Sequence, residues 1–288
     1  MAIDLRQIES TQGMPGSPPA RRLHPLLRAR DPEFIRRVLP LVSALTDRYY
    51  RTEIEGAEHL TCGPSLYVAT HNGGAALPDL LGLLSLFWRR FGAEAPAYGL
   101  MHDIIPLLPG FGAFLRRVGG LRADVRTANV ALRAGLPLLV APGGDLDALK
   151  PFGQRHRVEL AQRRGFVRLA ICNQVPIVPV VSVGAHEVMV VLNDGRRLAE
   201  LTGFARWLRV KSLPLTLSFP FGLGLAGIPS IPLPAKVRIR VLPKIELDEP
   251  PSAAGDRARV ERCFEHVRAL MQRALDELAS RRRWPLLG

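Results

Sequence analysis

Apolar runs and polar breaks alternate along most of the chain. Short apolar stretches, of the length typical of buried strands, recur between longer segments with helical spacing of their apolar positions. This alternation predicts an α/β fold, with a mostly parallel central sheet flanked by helices. The predicted strands are 66–69, 97–100, 136–141, 177–183 and 237–242, and the predicted helices are 80–91, 105–118, 125–134 and 160–173.

The rest of the pattern divides the chain into four parts. Residues 1–20 are rich in Gly, Pro and Ser; they are predicted to be disordered, and they lack the apolar region of a signal peptide. Residues 21–60 form a basic segment with a helix near 32–50, which either packs on the core or lies on an acidic bilayer. Residues 61–250 form the main domain, and residues 251–288 a C-terminal helix.

The charge narrows the choice of partner. The formal net charge is +13, with 39 basic residues of which four are lysines. Such a charge favours an anionic partner: a nucleic acid, an acidic membrane or a phosphorylated substrate. A compositional preference for arginine explains the charge equally well. The arginines are spread over helices and turns without interleaved aromatic residues, so no nucleic-acid partner is expected.

Cysteine and apolar content bear on the compartment. Cys62, Cys172 and Cys263 form neither a disulfide framework nor a metal-binding spacing, which fits a reducing environment. No uncharged stretch suits a membrane-spanning helix, because prolines interrupt the longest candidate, residues 213–235. We expect residues 219–234 to form an irregular apolar loop that inserts shallowly into a bilayer. The expected location is peripheral, on the cytoplasmic side of a membrane.

The most informative chemistry is the pair His71 and Asp79. His71 follows the apolar run 66–69, so it is placed at the carboxyl end of a strand, where open α/β sheets bind ligands. Pro78 suits the first turn of the next helix, and Asp79 is placed in that turn, where the helix dipole keeps a carboxylate ionised. A carboxylate that folds back on an imidazole fixes its tautomer and makes it a general base.

Three further segments follow in order. In the first, residues 111–126, a helix stops at Gly119 and Gly120 between arginines. In the second, residues 139–150, a strand runs into a Pro-Gly-Gly turn of the kind that exposes N–H groups to an anion. In the third, residues 165–180, a helix leads into an apolar strand bracketed by prolines. The polar or glycine positions of interest in these segments are Arg122, Arg126, Gly143, Gly144, Asp145, Asp147 and Lys150.

Together, the four segments resemble the motifs of the glycerolipid acyltransferase superfamily, which includes lysophosphatidate acyltransferases and a diacylglycerol-acyltransferase-like bacterial branch. Two departures stand out. Seven residues separate His71 from Asp79, where four is the commonest family spacing, and Gly143 occupies the position of a family glutamate. These departures leave the acceptor more open than the reaction.

The resemblance implies transfer of a fatty acyl group from acyl-CoA or acyl-ACP to the hydroxyl of a glycerolipid such as lysophosphatidate. His71 would be the general base and Asp79 its orienting acid. Arg122, Arg126 and Lys150 would hold a phosphate, and Asp145 and Asp147 would replace the missing glutamate. N–H groups near Gly143 and Gly144, or near Gly73 and Gly74, would face the oxyanion. No metal and no cofactor beyond the acyl donor are implied.

Other functions stay open. A non-catalytic lipid-binding relative would keep the fold and not need His71. A hydrolase would use water in place of the alcohol. Diacylglycerol or another lipid alcohol is an alternative acceptor.

Overall fold

A computed structural model describes residues 3–4, 24–102, 110–195, 214–225, 231–282 and 284. Most of the segment predicted as disordered and the start of the helix predicted at 105–118 lie outside these residues. Of residues 1–20, only Ile3 and Asp4 are described, and they form a short strand.

Eight strands of the described residues form the main sheet. Its spatial order is β1-β2-β11-β7-β3-β6-β4-β5. The five strands from β7 to β5 all run parallel, while β11 is antiparallel to β7. This confirms the predicted class. The bounds are β1 Ile3–Asp4, β2 Glu53–Glu55, β3 Ser65–Ala69, β4 Tyr98–Met101, β5 Gly120–Arg122, β6 Pro137–Val140, β7 Ile177–Val183 and β11 Arg238–Val241.

Helices cover both faces of this sheet. On β3, Leu66 and Val68 pack in the core cluster that contains residues of α4, α6 and α7, whereas Tyr67 and Ala69 pack with residues of α2. Because β3 and β7 are covered on both sides, they are apolar almost throughout. The helices are α1 Pro32–Ala44, α2 Pro78–Phe91, α3 Phe111–Arg117, α4 Val125–Arg133, α5 Asp145–Ala148, α6 Gly165–Asn173 and α7 Arg257–Ser280.

The basic helix α1 packs on the core rather than lying apart from it. Asp31 caps it by accepting a hydrogen bond from Phe34 N at 3.0 Å. Ile35 and Val42 are buried in one cluster with Trp88 of α2. The apolar face of α1 is therefore already used, which favours the first of the two alternatives for this segment.

The predicted segment boundaries do not match breaks in the structure. Strand β2 lies within residues 21–60, yet it pairs with β11 in the main sheet. The boundary placed after residue 60 therefore cuts through one sheet. The C-terminal helix is shorter than residues 251–288: α7 begins at Arg257 and ends at Ser280.

A second, smaller sheet corrects the expectation of an irregular loop at 219–234. Strands β8 Val190–Asn193, β9 Leu215–Ser218 and β10 Gly222–Leu225 form an antiparallel sheet in the order β10-β9-β8. Pro214 and Pro220 flank β9 without entering it, so they exclude a helix but leave the ladder of the strand intact.

In the described part of the chain, no helix combines the length and apolarity needed to cross a membrane.

Candidate active site

Three of the segments that the sequence singled out, around His71, Gly143 and Arg122, meet at one edge of the main sheet. Strands β3, β6, β4 and β5 are parallel, so their carboxyl ends share that edge. His71 follows β3, the Pro142-Gly143-Gly144 turn follows β6, and Arg122 ends β5. Sheet topology therefore brings together residues that lie far apart in the sequence, at the edge where ligands bind in such folds.

His71 is partly buried and held by its main chain. Its N–H donates a hydrogen bond to Asp147 Oδ2 at 2.6 Å. Burial lowers the pKa of the imidazole to about 4, and the positive charge of Lys150 adds to this effect. Imidazole Nδ1 is buried without a hydrogen-bond partner among the described residues. A neutral imidazole at physiological pH is the form that can accept a proton.

Asp79 lies in the first turn of α2, as predicted, but it does not hydrogen-bond to the imidazole. Its Oδ2 accepts hydrogen bonds from Asn72 N at 3.0 Å and from Ser182 Oγ at 2.9 Å. Its Oδ1 accepts one from Leu80 N at 2.9 Å. In this arrangement Asp79 fixes the peptide that follows His71, instead of the imidazole ring itself.

The ionisation of Asp79 also differs from the expectation. Burial raises the pKa of Asp79 to about 7, although the hydrogen bonds from Ser182, Leu80 and Asn72 act in the opposite direction. The desolvation of a fully buried carboxylate therefore outweighs the helix terminus that was expected to keep it ionised. Near neutral pH this carboxyl group is poised between its two protonation states.

Asp147 and Lys150, which the resemblance implies as substrate-binding residues, form a buried ion pair in the structure. Lys150 Nζ lies 2.6 Å from Asp147 Oδ1, and the exposed fractions of the two side chains are 4% and 0%. Lys150 also donates to the Arg157 carbonyl at 2.6 Å. Neither group presents its charge to a ligand in this conformation. Their observed contact with the site is the hydrogen bond from His71 N–H.

The glycines of the His71 loop allow a close approach to the neighbouring chain. Gly73 and Gly74 have φ values of +79° and +56°, a conformation that other residues rarely adopt. A Cβ on Gly73 would lie 2.6 Å from the Ala185 carbonyl oxygen and 2.9 Å from a methyl group of Val188. This loop therefore packs directly against the short 3-10 helix Ala185–Val188.

The Pro-Gly-Gly turn is equally constrained. Gly144 N–H donates to the Ala141 carbonyl at 3.1 Å, so it is already used within the turn. Arg163 Nη1 donates to the Pro142 carbonyl at 3.0 Å, and Arg163 Nη2 lies 3.5 Å from Asp145 Oδ1. Asp145 therefore lies at this edge beside a cation, whereas the Gly144 N–H is not available as an oxyanion donor.

Arg122 and Arg126 are both exposed on the far side of the same edge. Arg122 pairs with Met101 in the β4–β5 ladder, and Arg126 lies in the first turn of α4. Strand β5 is three places from β3 in the sheet, which at about 4.8 Å per strand amounts to roughly 14 Å. A substrate held by these arginines would have to span much of this separation to reach His71.

Sequence reasoning missed three polar side chains. Ser182 donates to Asp79 and accepts a hydrogen bond from Asn72 Nδ2 at 2.7 Å, and both residues are buried. Ser182 is the one polar residue in the apolar run of β7, and that interruption was a usable signal. Arg163 lies in a polar stretch with no such signal.

Comparison with known proteins decides the family. The model of the Acyltransferase family matches residues 51–183. An uncharacterized protein of Mycobacterium leprae is 31% identical over 256 residues, which cover 88% of this chain and 67% of the relative. An uncharacterized protein of Mycobacterium tuberculosis H37Rv is 30% identical over 260 residues, which cover 88% of this chain and 69% of the relative. The chain belongs to the acyltransferase family. The predicted superfamily is thereby confirmed.

This acyltransferase is also similar to a chicken enzyme and to a bacterial protein of known structure. A chicken protein described as a DGAT1/2-independent enzyme synthesizing storage lipids is 27% identical over 135 residues, 47% of this chain and 39% of that protein. The crystal structure of PlsC, the 1-acyl-sn-glycerophosphate acyltransferase of Thermotoga maritima, superposes with a TM-score of 0.52. At 18% identity, with 88% of this chain and 85% of that chain covered, the second match shows the fold alone.

Proposed function

We propose that this acyltransferase moves a fatty acyl group from acyl-CoA or acyl-ACP to the hydroxyl of a glycerolipid such as lysophosphatidate. The acceptor hydroxyl gives its proton to His71 and attacks the thioester carbonyl. The oxyanion then collapses, the carbon–sulfur bond of the thioester breaks, and the leaving thiolate takes the proton from His71, which returns to its neutral form. The observation that carries the proposal is the position of His71: a neutral imidazole at the carboxyl edge of parallel strands.

Asp79 serves as a positioning residue in this proposal. Its hydrogen bond from Asn72 N holds the loop that carries His71, and Ser182 holds Asp79 in turn. Hydrogen bonds in active sites are often looser before the substrate binds, so the unpartnered Nδ1 of His71 is compatible with a tighter contact in the reacting complex.

Substrate binding falls to groups that remain accessible. Arg122 and Arg126 are exposed and would hold a phosphate of the acceptor or of coenzyme A. Asp145 is partly exposed at this edge, whereas Gly143, Gly73 and Gly74 are buried and would shape the binding edge only through the turns that they allow. Asp147 and Lys150 are left out as ligands because their charges are buried against each other.

Diacylglycerol or another lipid alcohol is the alternative acceptor, and the similarity to the chicken storage-lipid enzyme favours testing it. The proposed location is peripheral, on the cytoplasmic side of a membrane, where both the acyl donor and a lipid alcohol are within reach. No metal or further cofactor takes part in this proposal.

The test is to identify the product. The purified protein is incubated with labelled acyl-CoA or acyl-ACP and a panel of acceptors: lysophosphatidate, diacylglycerol, a monoacylglycerol and a simple long-chain alcohol. We expect an acylated lipid from at least one acceptor. Free fatty acid as the sole product would replace the proposal by hydrolysis, and no turnover with measurable acyl-CoA binding would indicate a non-catalytic relative.

A further inference from the structure

The small sheet β8–β9–β10 presents an apolar face to solvent. In its ladder Leu217 lies opposite Leu223 and also opposite Val190. Side chains alternate between the two faces of a strand, so Leu215 shares a face with Leu217. The other face is directed inward, since Val191 is 1% exposed and its partner Thr216 is 0% exposed. The outward face is therefore apolar, where the outward face of an antiparallel sheet is usually polar.

The exposure of this face is large and concentrated. Leu217 is 50% exposed and Leu223 is 68% exposed, and the turn between their strands adds Phe219 at 60% and Phe221 at 57%. Residues 214–225 contain no charged side chain. Seven of the eleven large apolar side chains that are exposed in the described part of the chain lie in or beside this sheet: Leu192, Leu215, Leu217, Phe219, Phe221, Leu223 and Ile231. An apolar patch of this kind marks an interaction surface.

Basic residues precede the patch in the sequence, and a basic segment contacts the chain that follows it. The chain before it, residues 196–213, carries five basic residues and one acidic residue. The chain after it is tied to a basic segment: Tyr49 Oη donates to the Pro232 carbonyl, and Arg51 Nη2 donates to the Pro234 carbonyl at 2.6 Å. Apolar side chains with basic neighbours match the chemistry of an acidic lipid surface.

We propose that this leucine face, formed by Leu215, Leu217 and Leu223 with the exposed Leu192 at the neighbouring bulge, docks the chain on an acidic bilayer, with Phe219 and Phe221 inserted at the turn. A second copy of the chain is a poorer occupant. It would bring a further formal charge of +13 against the same basic surroundings, and like charges repel.

The docking face also adjoins the candidate active site. Strand β8 follows the 3-10 helix Ala185–Val188 almost directly, and the His71 loop packs against that helix through Gly73. Leu233 N–H donates to the Val188 carbonyl at 2.8 Å, which ties the chain after the hairpin to the same wall. Docking by this face would bring lipid close to the edge that carries His71. This consequence rests on the proposed function, whereas the docking itself does not.

The experiment is flotation of the purified 288-residue chain with vesicles, without any acyl donor. Vesicles of phosphatidylcholine alone are compared with vesicles containing about 30% phosphatidylglycerol. The variant L217S/L223S is compared with L26S/L41S, which removes two exposed leucines elsewhere (41% and 73% exposed). We expect the wild type and the control to bind the acidic vesicles, and the first variant to bind at least tenfold more weakly.

Three results would overturn this inference. They are equal flotation of L217S/L223S and the wild type, no binding of the wild type to acidic vesicles, and a wild-type dimer in light scattering that this variant abolishes. Circular dichroism checks that both variants fold; if L217S/L223S fails, L223S alone takes its place with L41S as its control. Because binding is measured without turnover, failure here leaves the proposed reaction untouched, and the reverse also holds.

Discussion

At the scale of single residues, the site depends on how burial distributes charge around His71. Lys150 is buried beside the imidazole, and Asp147 balances it in an ion pair of 2.6 Å. The cation still opposes protonation of His71, so the pKa of the imidazole falls further below its ordinary value. A base must be unprotonated to work, and this arrangement keeps His71 in that form well below neutral pH.

The pKa of His71 can be measured directly. In a long-range proton–nitrogen NMR titration we expect a midpoint near 4 for His71, and we expect K150M/D147N to move it upward because the cation is removed while the pair stays neutral. The unfolded value is near 6.5, so proton uptake by the unfolded state should reduce stability as the pH falls from about 6.5 to about 4. A wild-type midpoint at 6.5 would contradict this account.

The sequence predicted the positions of His71 and Asp79 in the fold better than it predicted the contacts that the polar side chains around them make. His71 and Asp79 lie where the pattern placed them, at a strand end and in a first helical turn. The burial of Asp147 and Lys150 was not predicted, because charged residues after a glycine turn look solvent-exposed in a sequence. Their burial depends on the packing of Gly143 and of the 150–160 region, which no local pattern encodes.

At the scale of elements, the long buried strands and helices were predictable, and the short strands β2 and β5 were not. Strand β7 is an almost uninterrupted apolar run, and helix α2 has a long apolar run after a proline, so each carries a strong signal in the sequence. Strands β2 and β5 have three residues each, and they exist because of distant partners: β2 pairs with β11, and β5 with β4. The same holds for β9 and β10, whose prolines suggested a loop.

The Pro-Gly-Gly turn offers a test of this packing. A Cβ on Gly143 would overlap the Glu159 carbonyl oxygen and the Asp147 side chain, so G143A should cost about 1–3 kcal/mol of unfolding free energy. The displacement of Asp147 should also lower the rate of acyl transfer. G165A is the matched control, because nothing lies within 4 Å of its new Cβ at the start of α6.

Urea unfolding and initial rates, measured on both glycine variants, provide the comparison. We expect G165A to match the wild type or to exceed it slightly in stability. Equal stability and activity of G143A and G165A would show that the turn is looser than the structure indicates.

At the scale of the whole molecule, the C-terminal helix and the residues after it contact segments that support the candidate site. Gln272 of α7 accepts a hydrogen bond from Val158 N at 2.9 Å and donates to the His156 carbonyl at 2.8 Å. Beyond its end, Arg282 pairs with Glu187 in the 3-10 helix that supports the His71 loop, and both side chains are almost fully buried. The last described segment thus stabilises the 3-10 helix Ala185–Val188, against which the His71 loop packs.

The buried ion pair between Arg282 and Glu187 predicts that R282M lowers the stability of the protein strongly. Loss of the arginine leaves Glu187 buried with a weaker neighbour, Arg155 at 3.9 Å, and should cost about 3–5 kcal/mol of unfolding free energy at pH 8. Burial already raises the pKa of Glu187, and the removal of Arg282 raises it further. Protonation of Glu187 then relieves part of the cost, so the loss should be smaller at pH 5 than at pH 8.

Arg281 provides the control for that change. It pairs with Glu55 at 3.2 Å, but its side chain is 58% exposed, so R281M should change the unfolding free energy by less than about 1 kcal/mol. Urea unfolding at the two pH values compares the pair of variants. Equal losses, or a loss for R282M that is larger at pH 5, would refute the buried-pair explanation.

The central claim is that His71 accepts the proton of a lipid alcohol. Its most direct test is the rate of acyl transfer by H71A, compared with the wild type and with H266A. The second variant is a control, because His266 is an exposed histidine of α7. We predict that H71A loses about 10²–10⁴-fold in kcat. Its fold should remain intact, because the main-chain hydrogen bond to Asp147 does not need the imidazole. A folded H71A that turns over at the wild-type rate would contradict the account.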